Sequence, residues 1–249
     1  MTRNELLRDT LTALSEMNKE GMHVAEVLGE QFVVLPGVFS PKYFKDTAFF
    51  AEHLPVRGVD RMLEIGPGTG AVAITALLRG AFYADVVDIN HVAVRNTMIN
   101  AVLHGFAHVG WRAPPPRIEA ICANVFRYDG PTYYMTAHDK NRIGTYDLIF
   151  WNYPFGFTQR RDLSMLERSV LDRNYVGLRK YVSEASQHLN PGGKVFLGFS
   201  FDIGDVRRFK EVMQETRCEY AVLKETALVQ TSLPGALEVT YSLLELHPR

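Results

Sequence analysis

The chain reads as an α/β protein on a Rossmann-like seven-stranded, mostly parallel sheet, with one antiparallel edge strand, helices on both faces and a short N-terminal helical extension. Three observations carry that reading. From residue 61 onward, short apolar runs alternate with helical stretches, the pattern of parallel strands wrapped by helices. A glycine-rich turn, Gly66-Pro67-Gly68-Thr69-Gly70, joins the first such run to the first helical stretch. The last two apolar runs, at 220–225 and 237–246, follow each other with no helix between them, as an antiparallel pair does.

Residues 2–20 predict an amphipathic helix: Thr2 and Glu5 have capping-box spacing, Leu7, Leu11 and Leu14 recur at helical spacing, and Gly21 marks the stop. Within residues 31–39 the Pro36-Gly37 dipeptide predicts a type II turn between two short strands. A helix over 47–54 ends at Pro55. Strands are expected at 61–65, 83–88, 117–122, 146–151, 193–199, 220–225 and 237–246, with helices at 70–78, 90–104, 175–189 and 204–215. The Pro114-Pro115-Pro116 run and residues 128–145 read as loops.

Composition narrows the function classes. With 249 residues, 47% hydrophobic and 22% charged, the chain is an ordinary globular sequence and not collagen-like, disordered or mucin-like. Cys122 and Cys218 are too few for a disulfide framework or a four-thiolate zinc site and read as two buried thiols. A net charge of -1 supplies no broad attraction for phosphate backbones. No run reaches the ~18 apolar residues of a membrane span and the first residues lack a signal-peptide pattern, so a cytoplasmic chain with no membrane partner is expected. His104 and His108 stand four apart, but Gly105 interrupts them and no third ligand is evident, so no metal is expected.

The glycine turn carries the most information. Glycines between a strand and a helix let the backbone turn sharply and approach a ligand at the end of the sheet. Eighteen residues after Gly70, Asp88 ends the next strand, where a carboxylate can accept both ribose hydroxyls of an adenosine ligand. The run Gly66 to Ala71 also satisfies the dinucleotide pattern G-x-G-x-x-G/A, which keeps a nicotinamide-dependent oxidoreductase open. Glu64, two residues before the first glycine, tilts the choice: an acid there can hold a cationic ligand and would repel a pyrophosphate.

These residues resemble the first motif of the class I S-adenosylmethionine-dependent methyltransferases, E/D-x-G-x-G-x-G. The resemblance runs from about Phe32 to Leu246 and implies S-adenosyl-L-methionine as cofactor. It implies that Gly66, Gly68 and Gly70 lie against the methionine part of the donor, that Asp88 binds its ribose and that Ile89 packs on its adenine. Asn124-Val125, just after the third expected strand, falls where the family places an acid beside the adenine amino group; an amide can accept the same hydrogen bond. The division expected is a helical extension over 1–30, serving as a lid or a dimer element, ahead of a methyltransferase domain over 31–249.

The strand over 146–151 runs into Asn152-Tyr153-Pro154-Phe155, which resembles the N/D-P-P-Y/F motif of methyltransferases acting on amino or amide nitrogens of planar groups. The Asn152 side-chain oxygen and the Tyr153 main-chain carbonyl could accept both hydrogens of an NH2 group and aim its lone pair at the donor methyl. Phe155 would stack on the substrate and Pro154 would stiffen the loop; Tyr153 stands where the motif has its first proline. Upstream, 35–41 followed by Asp46-Thr47 is similar to the segment that covers the donor in glutamine and small-domain amino methyltransferases, which makes Phe39, Tyr43 and Thr47 candidate donor contacts. Tyr133, Tyr134 and Trp151 are candidates for an aromatic pocket or for packing at the sheet rim. The mixed-charge stretch from Arg160 to Lys180 reads as a solvated face, with recognition of an acidic substrate as the sharper alternative.

The expected function is therefore methylation of a nitrogen in a small molecule, peptide or protein side chain. Adenine or cytosine amino methylation of nucleic acid is the less favoured rival. From other classes, the oxidoreductase and an inactive cofactor-binding module remain as alternatives. The first helix could support a homodimer.

Overall fold

The computed structural model describes residues 2–58, 60–108, 117–126, 144–230 and 237–248. Helix α1 (Arg3–Glu20) starts at the expected capping box: Glu5 N donates to Thr2 Oγ1, and Thr2 N donates to Glu5 Oε2 at 2.7 Å. It buries Leu6, Ala13, Leu14 and Met17. Strands β1 (His23–Val27) and β2 (Glu30–Val34) form an antiparallel hairpin, so residues 1–30 hold a strand as well as a helix. The expected strand pair around Pro36-Gly37 is not formed. The chain turns instead at Leu28-Gly29, with φ of 53° and 86°, the two positive values that a two-residue hairpin turn of the primed kind demands. Residues 35–39 continue as a loop because Val38 is buried against Ala25, Val34 and Ala93 with no strand opposite. Helix α2 (Asp46–His53) follows.

From there strand and helix alternate: β3 (Arg61–Ile65), α3 (Ala71–Leu78), β4 (Tyr83–Asp88), α4 (His91–Leu103) and β5 (Ile118–Cys122), then β6 (Tyr146–Asn152). Two three-residue strands, β7 (Gly156–Thr158) and β8 (Leu171–Arg173), pair in parallel beyond β6. The chain ends with α5 (Val176–Glu184), β9 (Leu189–Phe199), α6 (Val206–Glu215), β10 (Glu219–Gln230) and β11 (Leu237–His247). The helix expected over 175–189 is shorter because its last turn tightens into a 3₁₀ turn at Ala185–His188. Residues 190–193 form an irregular opening of β9, where the pairing with β6 jumps from Leu189 to Lys194.

Seven strands form one sheet in the order β10-β11-β9-β6-β3-β4-β5. β9, β6, β3, β4 and β5 are parallel to one another, and β11 runs antiparallel to both β9 and β10 at one edge. Strands β3 and β6 are apolar on both faces and buried along most of their length, so helices have to cover the sheet on both sides. The chain leaves β3 towards β4 on one side and returns to β6 on the other. Loops therefore diverge at the carboxyl ends of β3 and β6, the place where open α/β sheets open a ligand crevice.

Cys218 is buried and Cys122 is half-exposed, and both are free thiols. Among the described residues no helix is long and apolar enough to cross a membrane, and no three His, Cys, Asp or Glu gather to hold a metal. His104 instead bonds the Asn100 carbonyl through Nδ1 at 2.7 Å and stacks on Phe32.

Candidate functional site

The turn between β3 and α3 depends on its glycines. Gly66, Gly68 and Gly70 have φ of 63°, 57° and 81°. A side chain on Gly66 would start 3.1 Å from Trp151 Nε1, and one on Gly70 would start 2.7 Å from Thr97 Cγ2 of α4. Gly70 thus serves close helix packing and does not line the cleft. It also leaves α3 without a capping side chain. Glu64, buried in β3, supplies the missing acceptor, taking the Ala73 amide on Oε2 at 2.9 Å. Burial, helped by the charge of Asp88, raises the Glu64 carboxyl to about 8, against the pull of that hydrogen bond.

Asp88 closes β4 beside the loop. Its oxygens accept the amides of Asn90 at 2.8 Å and Gly68 at 3.3 Å. Burial lifts it to about 6 although both bonds oppose the rise. Strand β2 and the loop over 35–39 are tied to the same region by Asn90, which caps α4, and by Asn96 and Asn100 within it. Asn100 accepts from Val33 N and donates to the Val33 and Thr69 carbonyls, Asn96 accepts from Leu35 N and donates to Val33 O, and Asn90 donates to Gly37 O. Asn96 and Asn100 are fully buried, so they act as a strand's worth of partners for β2.

On the other side of the switch point, Asn152 ends β6 and its Nδ2 donates to Asp46 Oδ2 of α2 at 2.9 Å. Asp46 is 4% exposed, and its Oδ1 and Asn152 Oδ1 are both buried without a hydrogen-bond partner. Burial raises Asp46 to about 6, against the Asn152 bond and the nearby backbone amides. Tyr153 turns its ring into the core, 1% exposed, and its hydroxyl donates to Asp172 Oδ2 at 2.7 Å. Asp172 Oδ2 also accepts the Leu178 amide near the start of α5. The residue in the place of the motif's first proline thus ties β6 to the β8–α5 segment. Tyr175 fixes the next step, donating to Phe155 O and accepting from Asp205 N, each at 2.7 Å.

These two sides enclose a cleft of about 380 Å³. Among the sequence candidates, Phe39, Thr47, Glu64, Gly66, Gly68, Asp88, Ile89, Asn124 and Val125 line it, together with Asn152, Tyr153, Pro154 and Phe155. Gly70 and Tyr43 do not; the Tyr43 hydroxyl donates to Glu20 Oε2 at 2.7 Å on the α1 side. Val125 holds a φ of 56°, a costly conformation for a β-branched residue, beside Asn124 whose carbonyl accepts from the Lys180 amine. Trp151 lines the cleft and also packs edge-on against Tyr153 and Tyr181. Tyr133 and Tyr134 lie outside the described residues.

Several lining residues were not among the sequence candidates. Thr10 of α1, Asp46 and Asp172 line the cleft, and so do Arg161, Arg168 and Arg173. The arginines stand in the charged stretch already singled out. Asp46 adjoins Thr47, but nothing in the sequence pairs it with a residue 106 positions away.

The cleft suits the ligand that the glycine turn suggests. Its volume is within the roughly 300–1,000 Å³ of small-molecule sites. The turn leaves backbone rather than side chain at the end of β3, and Glu64 and Asp88 line the cleft beside it. The family model of the methyltransferase small domain matches residues 29–113.

The chain has the fold of a class I S-adenosylmethionine-dependent methyltransferase.

The match over 29–113 and the fold support a methyltransferase that uses S-adenosylmethionine. Similar solved structures include the ribosomal protein L11 methylase of Lactobacillus delbrueckii subsp. bulgaricus, at TM-score 0.52 and 15% identity, with 87% of this chain and 84% of that one covered. A T. thermophilus 16S rRNA N2 methyltransferase in complex with AdoMet and guanosine aligns at TM-score 0.55 and 19% identity, covering 92% of this chain and 50% of the other. Methanocaldococcus jannaschii Trm5 in complex with adenosine aligns at 0.56 and 16%, covering 92% and 56%. The chain thus spans most of the first structure and about half of the other two. No curated protein matches the chain.

Proposed function

We propose that the chain is an N-methyltransferase that positions an amino or amide nitrogen with Asn152. The observation that carries this reading is one cleft with the glycine turn and Asp88 on one side and the unpartnered Asn152 oxygen on the other. Asp88 has lone pairs left beyond its two amide bonds, and these suit ribose hydroxyls. Gly66 and Gly68 bring backbone to the methionine part, Glu64 meets its cationic end, and Ile89, Asn124 and Val125 border the adenine. Phe39 and Thr47 cover the donor from the loop that α4 tethers. When bound, S-adenosylmethionine supplies an electrophilic methyl carbon. Asn152 Oδ1 accepts an N–H of the substrate, while Pro154 and Phe155 wall the acceptor pocket, so that orientation supplies much of the rate. Helix α1, through Thr10, serves as a lid over this half.

Calorimetric titration with S-adenosylmethionine, S-adenosylhomocysteine and NADH tests the reading. Binding of both sulfur ligands and not NADH is expected; binding of NADH alone would overturn it.

One observation favours a second reading of the substrate. Arg161, Arg168 and Arg173 line the cleft from the segment after β6, all exposed and without an ion pair among the described residues. A cationic rim suits a phosphate-bearing acceptor, the class to which the rRNA substrate of the T. thermophilus relative belongs. Salt-sensitive binding of a single-stranded RNA oligonucleotide, weakened by Arg168→Ala, would decide for it.

A further inference from the structure

The end of β6 and the start of α2 each line the cleft with a residue that holds a buried oxygen without a partner, Asn152 Oδ1 and Asp46 Oδ1. Buried acceptors left unmade are costly, of order 1–3 kcal/mol each by general experience, so they mark places where a ligand completes the structure. Their arrangement is ordered by chemistry. An ionised carboxylate can only accept, so Asp46 Oδ2 holds the amide of Asn152 with its nitrogen inward and its oxygen free. Asp46 lies in the first turn of α2, where the helix dipole supports its charge.

We propose that Asp46 is the second acceptor and the proton acceptor of the reaction: the methyl-receiving nitrogen donates one hydrogen to Asn152 Oδ1 and one to Asp46 Oδ1. This rests on the reading of the cleft as an N-methyltransferase site. The nitrogen lone pair forms the N–C bond as the C–S electron pair returns to sulfur, and the proton shed by the nitrogen passes to Asp46, which releases it to solvent. A carboxylate at this place favours a neutral amine nitrogen that becomes positively charged as the N–C bond forms, whereas a plain amide needs only neutral acceptors.

The groups packed against Asp46 leave it free for this task. Asn152 comes from β6 and Tyr241 from β11, and the Tyr241 phenol is held far above its ordinary range by burial. Lys45, just before α2, is exposed. Glu64 and Asp88 titrate on the donor side of the cleft and would act on any donor analogue alike.

The test needs no substrate. Sinefungin resembles S-adenosylhomocysteine but carries a protonated amine on the carbon that replaces the sulfonium centre, so its amine probes the acceptors at the point of transfer. In wild type, sinefungin should bind at least about tenfold more tightly than S-adenosylhomocysteine, the worth of one charge-assisted hydrogen bond. That ratio should rise as pH passes about 6 and Asp46 ionises. Asp46→Asn and Asp46→Ala should bring the ratio near unity and make it independent of pH, with S-adenosylhomocysteine affinity within about twofold of wild type. An unchanged ratio in both variants would overturn the proposal while leaving the methyltransferase reading intact. Loss of S-adenosylhomocysteine binding in both would assign Asp46 to the donor site and overturn it as well. Failure of wild type to bind S-adenosylhomocysteine would remove the reading on which it rests.

Discussion

The two halves of the cleft are built in different ways. The floor of the donor half is local: β3, the glycine turn, α3 and β4 follow within residues 61–88, where Glu64 bonds to Ala73 and Asp88 to nearby Asn90. The acceptor half is assembled from segments far apart in the chain. Asn152 meets Asp46, Tyr153 meets Asp172, and α1 closes over residues 163–171 through Leu14, Met17, Val170 and Leu171. A short-range half can be carried from one methyltransferase to another as a unit, whereas a long-range half is free to change with the substrate.

The largest effect that would sharpen this contrast is where α4 tethers β2 and its loop over that floor. Asn100→Ala removes the partners of Val33 N and Thr69 O and one partner of Val33 O, which should cost roughly 2–4 kcal/mol and lower Tm by roughly 5–15 °C. A thermal scan that shows no loss would mean that the hairpin is held by its apolar contacts alone. Next comes ligand affinity. Asp88→Ala should weaken S-adenosylhomocysteine binding by roughly ten- to a hundredfold, and Asn152→Ala by less than about threefold. Comparable losses in the two variants would erase the division between the halves.

A smaller effect comes from the carboxylates that both halves bury. Asp46 and Asp88 rise to about 6 and Glu64 to about 8 from ordinary values of 3.8 and 4.5. Between those ordinary values and the raised ones, the folded protein binds more protons than the unfolded chain. These groups therefore make stability fall as pH rises from about 4 to about 8, and then level off. Scans of the ligand-free protein at pH 5.5, 7 and 8.5 should show Tm declining, with a flatter profile in Glu64→Gln. A rising Tm in wild type over that range would contradict the burial account. The smallest change is on the rim: Arg168→Ala should shift stability by less than about 0.5 kcal/mol, because the side chain is exposed and unpaired among the described residues. A larger shift would show that the 161–173 segment is held by its charges.

The same contrast explains what could be read from sequence. Expected strands at 61–65 and 83–88 match β3 and β4 to the residue, because both are short, mostly buried runs bounded by turns, even with Glu64 and Asp85 inside them. Glu64, Gly66, Gly68 and Asp88 were visible because the turn needs them at fixed spacing. The β1–β2 turn was not visible, since Leu28-Gly29 lacks the Asn or Asp that usually marks a primed turn, while Val38 and Phe39 imitate a strand. Tyr43 was placed by similarity of its segment, but its hydroxyl is taken by Glu20. Gly70 belongs to the motif, yet its need is the approach of Thr97 and not a ligand. Asp46 and Asp172 could not be found, because their roles depend on Asn152 and Tyr153, partners that only the folded topology delivers.

A crystal structure of the protein with S-adenosylhomocysteine tests the division of the cleft most directly. The account predicts ribose hydroxyls on Asp88, the methionine part along Gly66 and Gly68, and the sulfur facing the free oxygens of Asn152 and Asp46. A ligand bound elsewhere, or one whose sulfur faces away from the end of β6, would contradict it.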